Sequence, residues 1–476
     1  MDRSEFERWS HAAAAWSARY LEGVAERPVR AQVAPGEVLA QLAESAPEAP
    51  EPMEAILADF ERIVPEAMTH WQHPRFFAYF PSNAAPAAIV AEQLAAAMAA
   101  QCMLWQTSPA ATELETRTVD WLRRAFGLPE GFLGTFQDTA SSATLAAILV
   151  MRERATGGRG NAEGLAGLSP ARVYASHRTH SSIDKAMWIA GLGQANLVKI
   201  PTGEGPLFPM DLDALGRAIA ADRAAGRAPA GIVACVGGTS VGSTDPIRAV
   251  CELAHEQGLY VHVDAAWAGS AMICPEYREL WDGVELADSV VVNPHKWLGT
   301  GMECSAHFVR DAESLVGTLA IRPEYLRTHG RDGLVNYSEW SLGLGRRFRA
   351  LKVWFLLRAY GLEGLRGRIR NHVRWSVALA ERLRAEPDVE IVTEPVLSLF
   401  SFRHVPAALA GDGAALDAHN LALVAAINDD GRIYLTQTEH DGRAAIRFQA
   451  GQFDMAERDA DIAFDTILEV ARALPR

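Results

Sequence analysis

From about Ala85 to Tyr360 the chain alternates short β-branched runs with stretches of helical periodicity, and this alternation limits its fold more than any other feature. The runs RVYAS, NLVKIP, GIVACVGG, LYVHVDAA, SVVVN and CSAHFVR are interspersed with SSIDKAMWIAGLG, MDLDALGRAIAADRAAG and DPIRAVCELAHEQG. Apolar strands linked through helices predict a mostly parallel sheet with crossover helices, hence an α/β class. Before this region lies a helical segment broken by the Pro-rich stretch APEAPEPME. After Gly361, LSLFSFR and RIYLTQTEHDGRAAIRFQAG, with an Asp441-Gly442 turn, predict antiparallel strands packed by helices. The expected division is a helical segment over 1–84, a large α/β domain over 85–360 and a small α+β domain over 361–476.

With 476 residues, 49% of them hydrophobic, the chain can bury a large core. Its 45 Lys and Arg stand against 59 Asp and Glu, a net charge of -14, so a nucleic acid or anionic membrane would need a local basic patch. The one candidate is Arg346, Arg347, Arg349 and Lys352, which reads more simply as solvated cations at a helix start. No nucleic acid and no membrane is expected as a partner. The opening MDRSEFERWSHAAAAWSARY carries acids and has no signal-peptide pattern, and PAAIVAEQLAAAMAAQCMLW is interrupted by Glu92, Gln93 and Gln101. A cytoplasmic location is expected. Cys102, Cys235, Cys251, Cys274 and Cys304 show no CxxC or zinc spacing, which predicts reduced, buried thiols and no metal site.

SVVVNPHKW, residues 289–297, ends a core strand by delivering Lys296, and burying an ammonium is costly unless it is paired or chemically used. In open α/β sheets ligands sit beyond the carboxyl ends of the strands. The residues found there are Asp264 after LYVHV, Lys296 after SVVV, His177 and His180 after RVYAS, and Gly237, Gly238, Thr239 and Ser240 after GIVACV. Thr139, Ala140, Ser141 and Ser142 precede a long apolar helix, where hydroxyls and free N–H groups make an anion site. Each has a plain reading by itself: Asp264 as a turn residue, TASSAT as an N-cap, His180 as a loop histidine, Lys296 as a snorkelling side chain. Together they describe a ligand with a phosphate, an aromatic nitrogen and a carbonyl, and pyridoxal 5′-phosphate (PLP) has all three. Its phosphate would sit on the Thr139–Ser142 helix start, Asp264 would keep the pyridine nitrogen protonated, and Lys296 would hold the aldehyde as a Schiff base.

The segments HPRFFAYFPS, LWQTSPAATELE, QDTASSAT, THSSIDKA, HVDAAWAGSA, NPHKW and LGRRFRALKVW resemble the aromatic-L-amino-acid decarboxylases, the PLP-dependent group II decarboxylases, in order from about Trp9 to Phe448. The resemblance implies a PLP-dependent transferase fold of the aspartate aminotransferase type (fold type I). It also implies a homodimer with active sites between subunits and an N-terminal segment that interlocks them. Carried over by position, Lys296 is the Schiff-base lysine and Asp264 the pyridinium partner. Thr139, Ala140, Ser141, Gly238, Thr239 and Asn293 lie on the phosphate side, and Ala266 and His295 line the cofactor. His180 would stack on the ring and meet the substrate carboxylate. Tyr325, in IRPEYLRTHGRDG, would be the loop tyrosine that protonates the substrate carbon. Trp71, Tyr79, Phe80, Pro81 and Ser82 fall on the substrate side, with Gly345, and with Met103 and Leu104 contributed from the partner subunit.

The implied reaction is decarboxylation of tryptophan, Dopa, tyrosine or phenylalanine to the amine and carbon dioxide. Three alternatives stand beside it. One is an oxygen-dependent aromatic acetaldehyde synthase, which typically lacks either the loop tyrosine or the histidine, and both are present here. The others are a decarboxylase of a non-aromatic amino acid and a non-catalytic protein that keeps the fold. The sequence departs from the family pattern at Trp267, where many relatives have Tyr, at Gly238, where a phosphate-side Thr is common, and at SNAAP, which replaces a more polar stretch. Gly345 matches a position that is glycine in indole-preferring plant relatives.

Overall fold

The structure, a computed structural model, describes residues 1–321 and 334–474. It divides into two compact units. The first comprises Met1–Pro81, Trp375–Val392 and Ser401–Arg476, and the second Ser82–Arg374 and Thr393–Phe400.

The second unit is built on a seven-stranded sheet of β1 (Leu133–Gln137), β2 (Ala171–Ser176), β3 (Leu197–Ile200), β4 (Ala228–Cys235), β5 (Tyr260–Asp264), β6 (Ser289–Val292) and β7 (Ser305–Val309). Their order is β1-β7-β6-β5-β4-β2-β3. The five strands from β6 to β3 run parallel, whereas β7 is antiparallel to β6 and β1 to β7. This is the mostly parallel α/β sheet expected, with β1 added. Its five residues, LGTFQ, have no alternation to mark them and run straight into the next helix start.

That helix, Ala140–Thr156, is capped by Thr139, whose Oγ1 accepts from Ser142 N at 3.4 Å, and ends at the left-handed Gly157. It is packed against the sheet closely enough that a Cβ at Gly231 would lie 2.6 Å from Met151 Sδ. The pairing also lines up one row of side chains across the sheet: Cys235 opposite Asp264, Asp264 opposite Val291, Val291 opposite His307, and His307 opposite Thr135. Elsewhere on the sheet, His262 Nδ1 lies 2.7 Å from Ser289 Oγ and its Nε2 3.2 Å from Thr144 Oγ1 on the helix. The centre of this buried sheet is thus polar, and His307 is its least satisfied member. Neither of its ring nitrogens has a hydrogen-bond partner among the described residues.

In the first unit β8 (Val389–Val396), β9 (Leu399–His404), β10 (Thr436–His440) and β11 (Arg443–Gln449) form a sheet in the order β10-β11-β9-β8. Asp441 and Gly442, both at positive φ, make the tight hairpin expected of that dipeptide. The N-terminal helix Arg3–Gly23 has no fully buried residue. It is held to the helix Met53–Ile63 by Trp16 edge-on to Phe60 at 4.8 Å and by the ion pair Arg8–Glu54 at 2.8 Å. Among the described residues no helix is long and apolar enough to cross a membrane. All five cysteines are free and buried, as their spacing predicts.

The expectation of solvated cations at residues 346–352 holds for the exposed Arg347 and is corrected for Arg346, Arg349 and Lys352. Arg346 is buried and forks onto Glu115 at 2.7 and 3.0 Å, with further donation to Phe136 O at 2.8 Å. Lys352, also buried, reaches Glu92 at 2.8 Å; Arg347 pairs with Glu92 and Arg349 with Glu303. The helix begins only at Arg349, so the preceding arginines sit in an irregular segment that needs buried donors to satisfy it. The candidate phosphate-binding patch is therefore already matched by carboxylates.

These buried groups bear on stability in two measurable ways. Arg346→Met leaves Glu115 as an uncompensated buried charge and should cost about 3–5 kcal/mol in urea unfolding, against under about 1 kcal/mol for an exposed pair. Burial holds the His307 imidazolium down at about 4. Between that value and the ordinary 6.5 the unfolded chain binds a proton that the folded chain does not, so this contribution is full above 6.5 and is lost as pH falls through the window. His307→Met should hold or raise stability at pH 7 and reduce its fall toward pH 5; an unchanged pH dependence would count against the neutral, unpartnered imidazole.

Candidate active site

The site forms where β2, β4, β5 and β6 end. β6 stops at Val292, and the chain turns through Asn293 into one tight turn of π-type helix, Pro294–Leu298, closed by the left-handed Gly299. Lys296 interrupts this turn with non-helical torsions of φ -89 and ψ -105. Its backbone is tied back by Lys296 N to Asn293 O at 3.0 Å, and Asn293 N in turn donates to Ala266 O at 2.9 Å. The residues on either side are locked. His295 is buried, with Nδ1 2.7 Å from Cys304 O. Burial, reinforced by the Lys296 charge, pulls the His295 imidazolium down to about 4. Trp297 donates Nε1 to His372 Nδ1 at 2.9 Å and stacks on Trp267, with ring centroids 5.1 Å apart and planes 17° from parallel. A half-buried lysine is thus carried between two immobilised aromatic neighbours.

Asp264 ends β5 and is buried; the N–H of Ala266 holds its Oδ1 at 3.1 Å. Beyond β2, Ser182 N donates to His180 Nδ1 at 3.1 Å. A backbone N–H can only donate, so the neutral ring keeps its proton on Nε2. His180 shows surface to solvent, but enough protein surrounds it that desolvation lowers its pKa; Asp264 opposes that shift and Lys296 adds to it. Cys235 feels the charges of the same Asp264 and Lys296. Lys296, Asp264, His180 and Cys235 therefore share one electrostatic neighbourhood. Among the described residues no group of His, Cys, Asp or Glu side chains could hold a metal ion.

Ala140 and Ser141 occupy the first turn after Thr139, where N–H groups lack intrahelical partners. Asn293 Oδ1 accepts from Ser305 Oγ, which orients its amide so that Nδ2 is the donor end. Gly238 is buried in the turn after β4, while Thr239 is exposed at its tip. This set offers N–H donors at a helix start, a carboxylate and an amine, which is the chemistry that PLP requires.

Residues expected on the substrate side fall in both units. Trp71 and Tyr79, in the first unit, are exposed and stacked at 5.7 Å, with Tyr79 at φ 52. Phe80 and Pro81 are buried there, the Arg447 guanidinium lying 4.6 Å over the Phe80 ring. Phe76 and Phe77 from the same aromatic run are core. Ser82, Met103, Leu104 and Gly345 belong to the second unit. In it Cys102 N donates to Arg346 O at 2.9 Å and Ser338 N to Met103 O at 3.0 Å, so the segment bearing Met103 is zipped to the one bearing Gly345. Tyr325 lies outside the described residues. Three buried groups near the strand ends were not assigned to the site from the sequence: Cys235, expected only as a buried thiol, Ser243, and Asp245, the last accepting from Cys235 N at 2.8 Å and Met210 N at 2.9 Å. All three lie in the segment GIVACVGGTSVGSTDP, and alternation along β4 is the signal that could have singled out Cys235.

Residues 35–405 match the model of the pyridoxal-dependent decarboxylase conserved domain. The chain is 40% identical to the aromatic-L-amino-acid decarboxylase of Bos taurus, over 100% of this chain and 98% of the relative. It is 36% identical to the phenylacetaldehyde synthase of Arabidopsis thaliana, over 100% and 97%. Among solved structures, Oryza sativa TDC with PLP and tryptamine superposes with a TM-score of 0.96 at 35% identity, covering 99% of each chain. Catharanthus roseus tryptophan decarboxylase in complex with L-tryptophan gives 0.92 at 33% identity, over 100% and 99%.

Proposed function

Because this chain belongs to the pyridoxal-dependent decarboxylase family and has its fold type I architecture, we propose that it removes the α-carboxylate of an aromatic L-amino acid as carbon dioxide and releases the amine. The observation that carries the reading is the common neighbourhood of Lys296, Asp264 and His180 beyond the ends of β6, β5 and β2 of one sheet. When bound, PLP supplies an electron sink for the pair left behind by the departing carboxylate.

The residues do the rest. Lys296 Nζ would hold the cofactor through its aldehyde. Asp264, pinned by Ala266 N–H, would keep the pyridine nitrogen protonated. Ala140, Ser141 and Asn293 would hold the phosphate, with Thr139 capping the helix that presents it. His180 would cover the ring and offer its Nε2–H to the substrate carboxylate. Tyr325 or His180 returns a proton to the substrate carbon. Trp71, Tyr79 and Phe80 are read as the residues that meet an aromatic side chain, with Met103 and Leu104 contributed from the partner subunit, and exclusion of water around the substrate favours loss of a charged carboxylate. Gly345 matches a position that is glycine in indole-preferring plant relatives, and on that ground tryptophan joins Dopa, tyrosine and phenylalanine as a proposed substrate.

We read the working form as a cytoplasmic homodimer. Val90, Leu94 and Met98 are exposed on the helix Pro86–Ala97 and its end, and Trp188, Ile189, Leu342 and Leu344 are exposed elsewhere in the second unit. Apolar surface of this extent on a large chain favours a subunit interface. The N-terminal helix, with no fully buried residue, is suited to packing on a second copy. Five unpaired cysteines suit a reducing compartment.

The phenylacetaldehyde synthases of Arabidopsis thaliana and Petunia hybrida among the relatives make the oxidative reaction the second reading. Purified protein with PLP and a panel of aromatic amino acids should release amine and carbon dioxide in equal amounts, with little peroxide or aldehyde. Lys296→Ala should lose turnover by at least about a thousandfold, since it removes the covalent anchor of the cofactor as well as an acid–base group. Aldehyde and peroxide as main products would replace the decarboxylase reading, and turnover by Lys296→Ala at the parent rate would end it.

A further inference from the structure

Gly238 is the one departure from the family pattern that the fold visibly answers. The turn after β4 closes through Gly238 N to Ser243 O and Gly242 N to Gly238 O, both at 2.8 Å. A Cβ at position 238 would stand 2.2 Å from Ser243 Oγ, 3.2 Å from Arg178 O and 3.4 Å from Cys235 Sγ. The Ser243 hydroxyl therefore occupies the volume that a side chain at 238 would claim. Ser243 is buried, and its Oγ has no nitrogen or oxygen partner among the described residues, its hydrogen-bonding neighbour being the weakly polar thiol of Cys235. A buried hydroxyl in that condition marks a place where a ligand or water belongs.

The surroundings say which ligand. Beside Ser243 is the Cys235 thiol, and the neighbour of Cys235 across the sheet is Asp264. Burial, then the charges of Asp264 and Asp245, keep the thiol protonated, so the wall formed by Ser243 and Cys235 is neutral. It flanks the carboxylate expected to meet the pyridine nitrogen. We propose that Ser243 is a cofactor-binding residue, whose hydroxyl makes the hydrogen bond to PLP that a hydroxyl side chain at position 238 would otherwise make. This rests on the PLP reading above and adds to it a residue that only the loop geometry reveals.

The test is PLP titration of the apo-protein, followed by tryptophan fluorescence and by absorbance of the bound cofactor, with the melting temperature of each apo-protein recorded alongside. Ser243→Ala should weaken PLP binding about tenfold, the worth of roughly one net hydrogen bond. Gly238→Thr should weaken it too, since its Cβ displaces the serine hydroxyl. The double variant Gly238→Thr/Ser243→Ala should bind PLP more tightly than either single variant, because the threonine hydroxyl enters the vacated volume. Should Ser243→Ala melt early, the comparison of double with single variants still decides. Ser243→Ala binding within about twofold of the parent, or a double variant weaker than both singles, overturns the assignment. Failure of the parent itself to bind PLP would instead overturn the proposed function, and this inference with it.

Discussion

A lysine at the end of a fully buried strand needs a structure that tolerates its charge and keeps it in place, and most of the second unit is arranged to that end. The turn Pro294–Leu298 cannot relax outward, because Trp297 is stacked on Trp267 and hydrogen-bonded to His372, while His295 is bonded to the backbone of Cys304. Asp264 is fixed at the end of the neighbouring strand by sheet register and by the Ala266 N–H. The backbone positions that carry the amine and the carboxylate are thus held by the sheet and the turn. Such pre-organisation is what allows a site to act on a ligand without first rearranging.

The cost of that arrangement is a buried sheet rich in polar groups. His262 is satisfied by Ser289 and Thr144, but His307 and Ser243 are not satisfied by nitrogen or oxygen atoms of the described residues. These two differ in consequence. His307 lies in the same cross-strand row as Asp264 but two strands away, where it contributes acid sensitivity and no evident chemistry. Ser243 lies beside Cys235, next to the carboxylate, where a hydroxyl with only a thiol for a neighbour is placed to meet the proposed ligand. Elsewhere the irregular segment before Arg349 is held by Arg346 buried on Glu115, which also fixes the strand carrying Thr135 and Phe136.

Much of this is legible in the sequence, for identifiable reasons. Strands buried on both faces announce themselves as β-branched runs, so β2 to β7 and the residues at their ends can be found without a structure, and Lys296, Asp264 and His180 with them. The Asp441-Gly442 turn is legible because few dipeptides tolerate positive φ at both positions. What depends on partners distant in sequence is not legible. Arg346 looks solvated until Glu115, far earlier in the chain, is brought against it. β1 has no pattern of its own and exists by pairing with β7. Cys235 and Ser243 gain meaning only from register and from the tightness of one turn, neither of which local composition encodes.

Everything proposed for this site turns on a covalent bond between Lys296 and PLP, and the most direct measurement is to trap it. Reduction of the purified holoprotein with borohydride, digestion and peptide mass spectrometry should find a pyridoxyl group on the peptide containing NPHKW, at Lys296. A pyridoxyl group on another lysine, or none in protein that had been saturated with PLP, would contradict it.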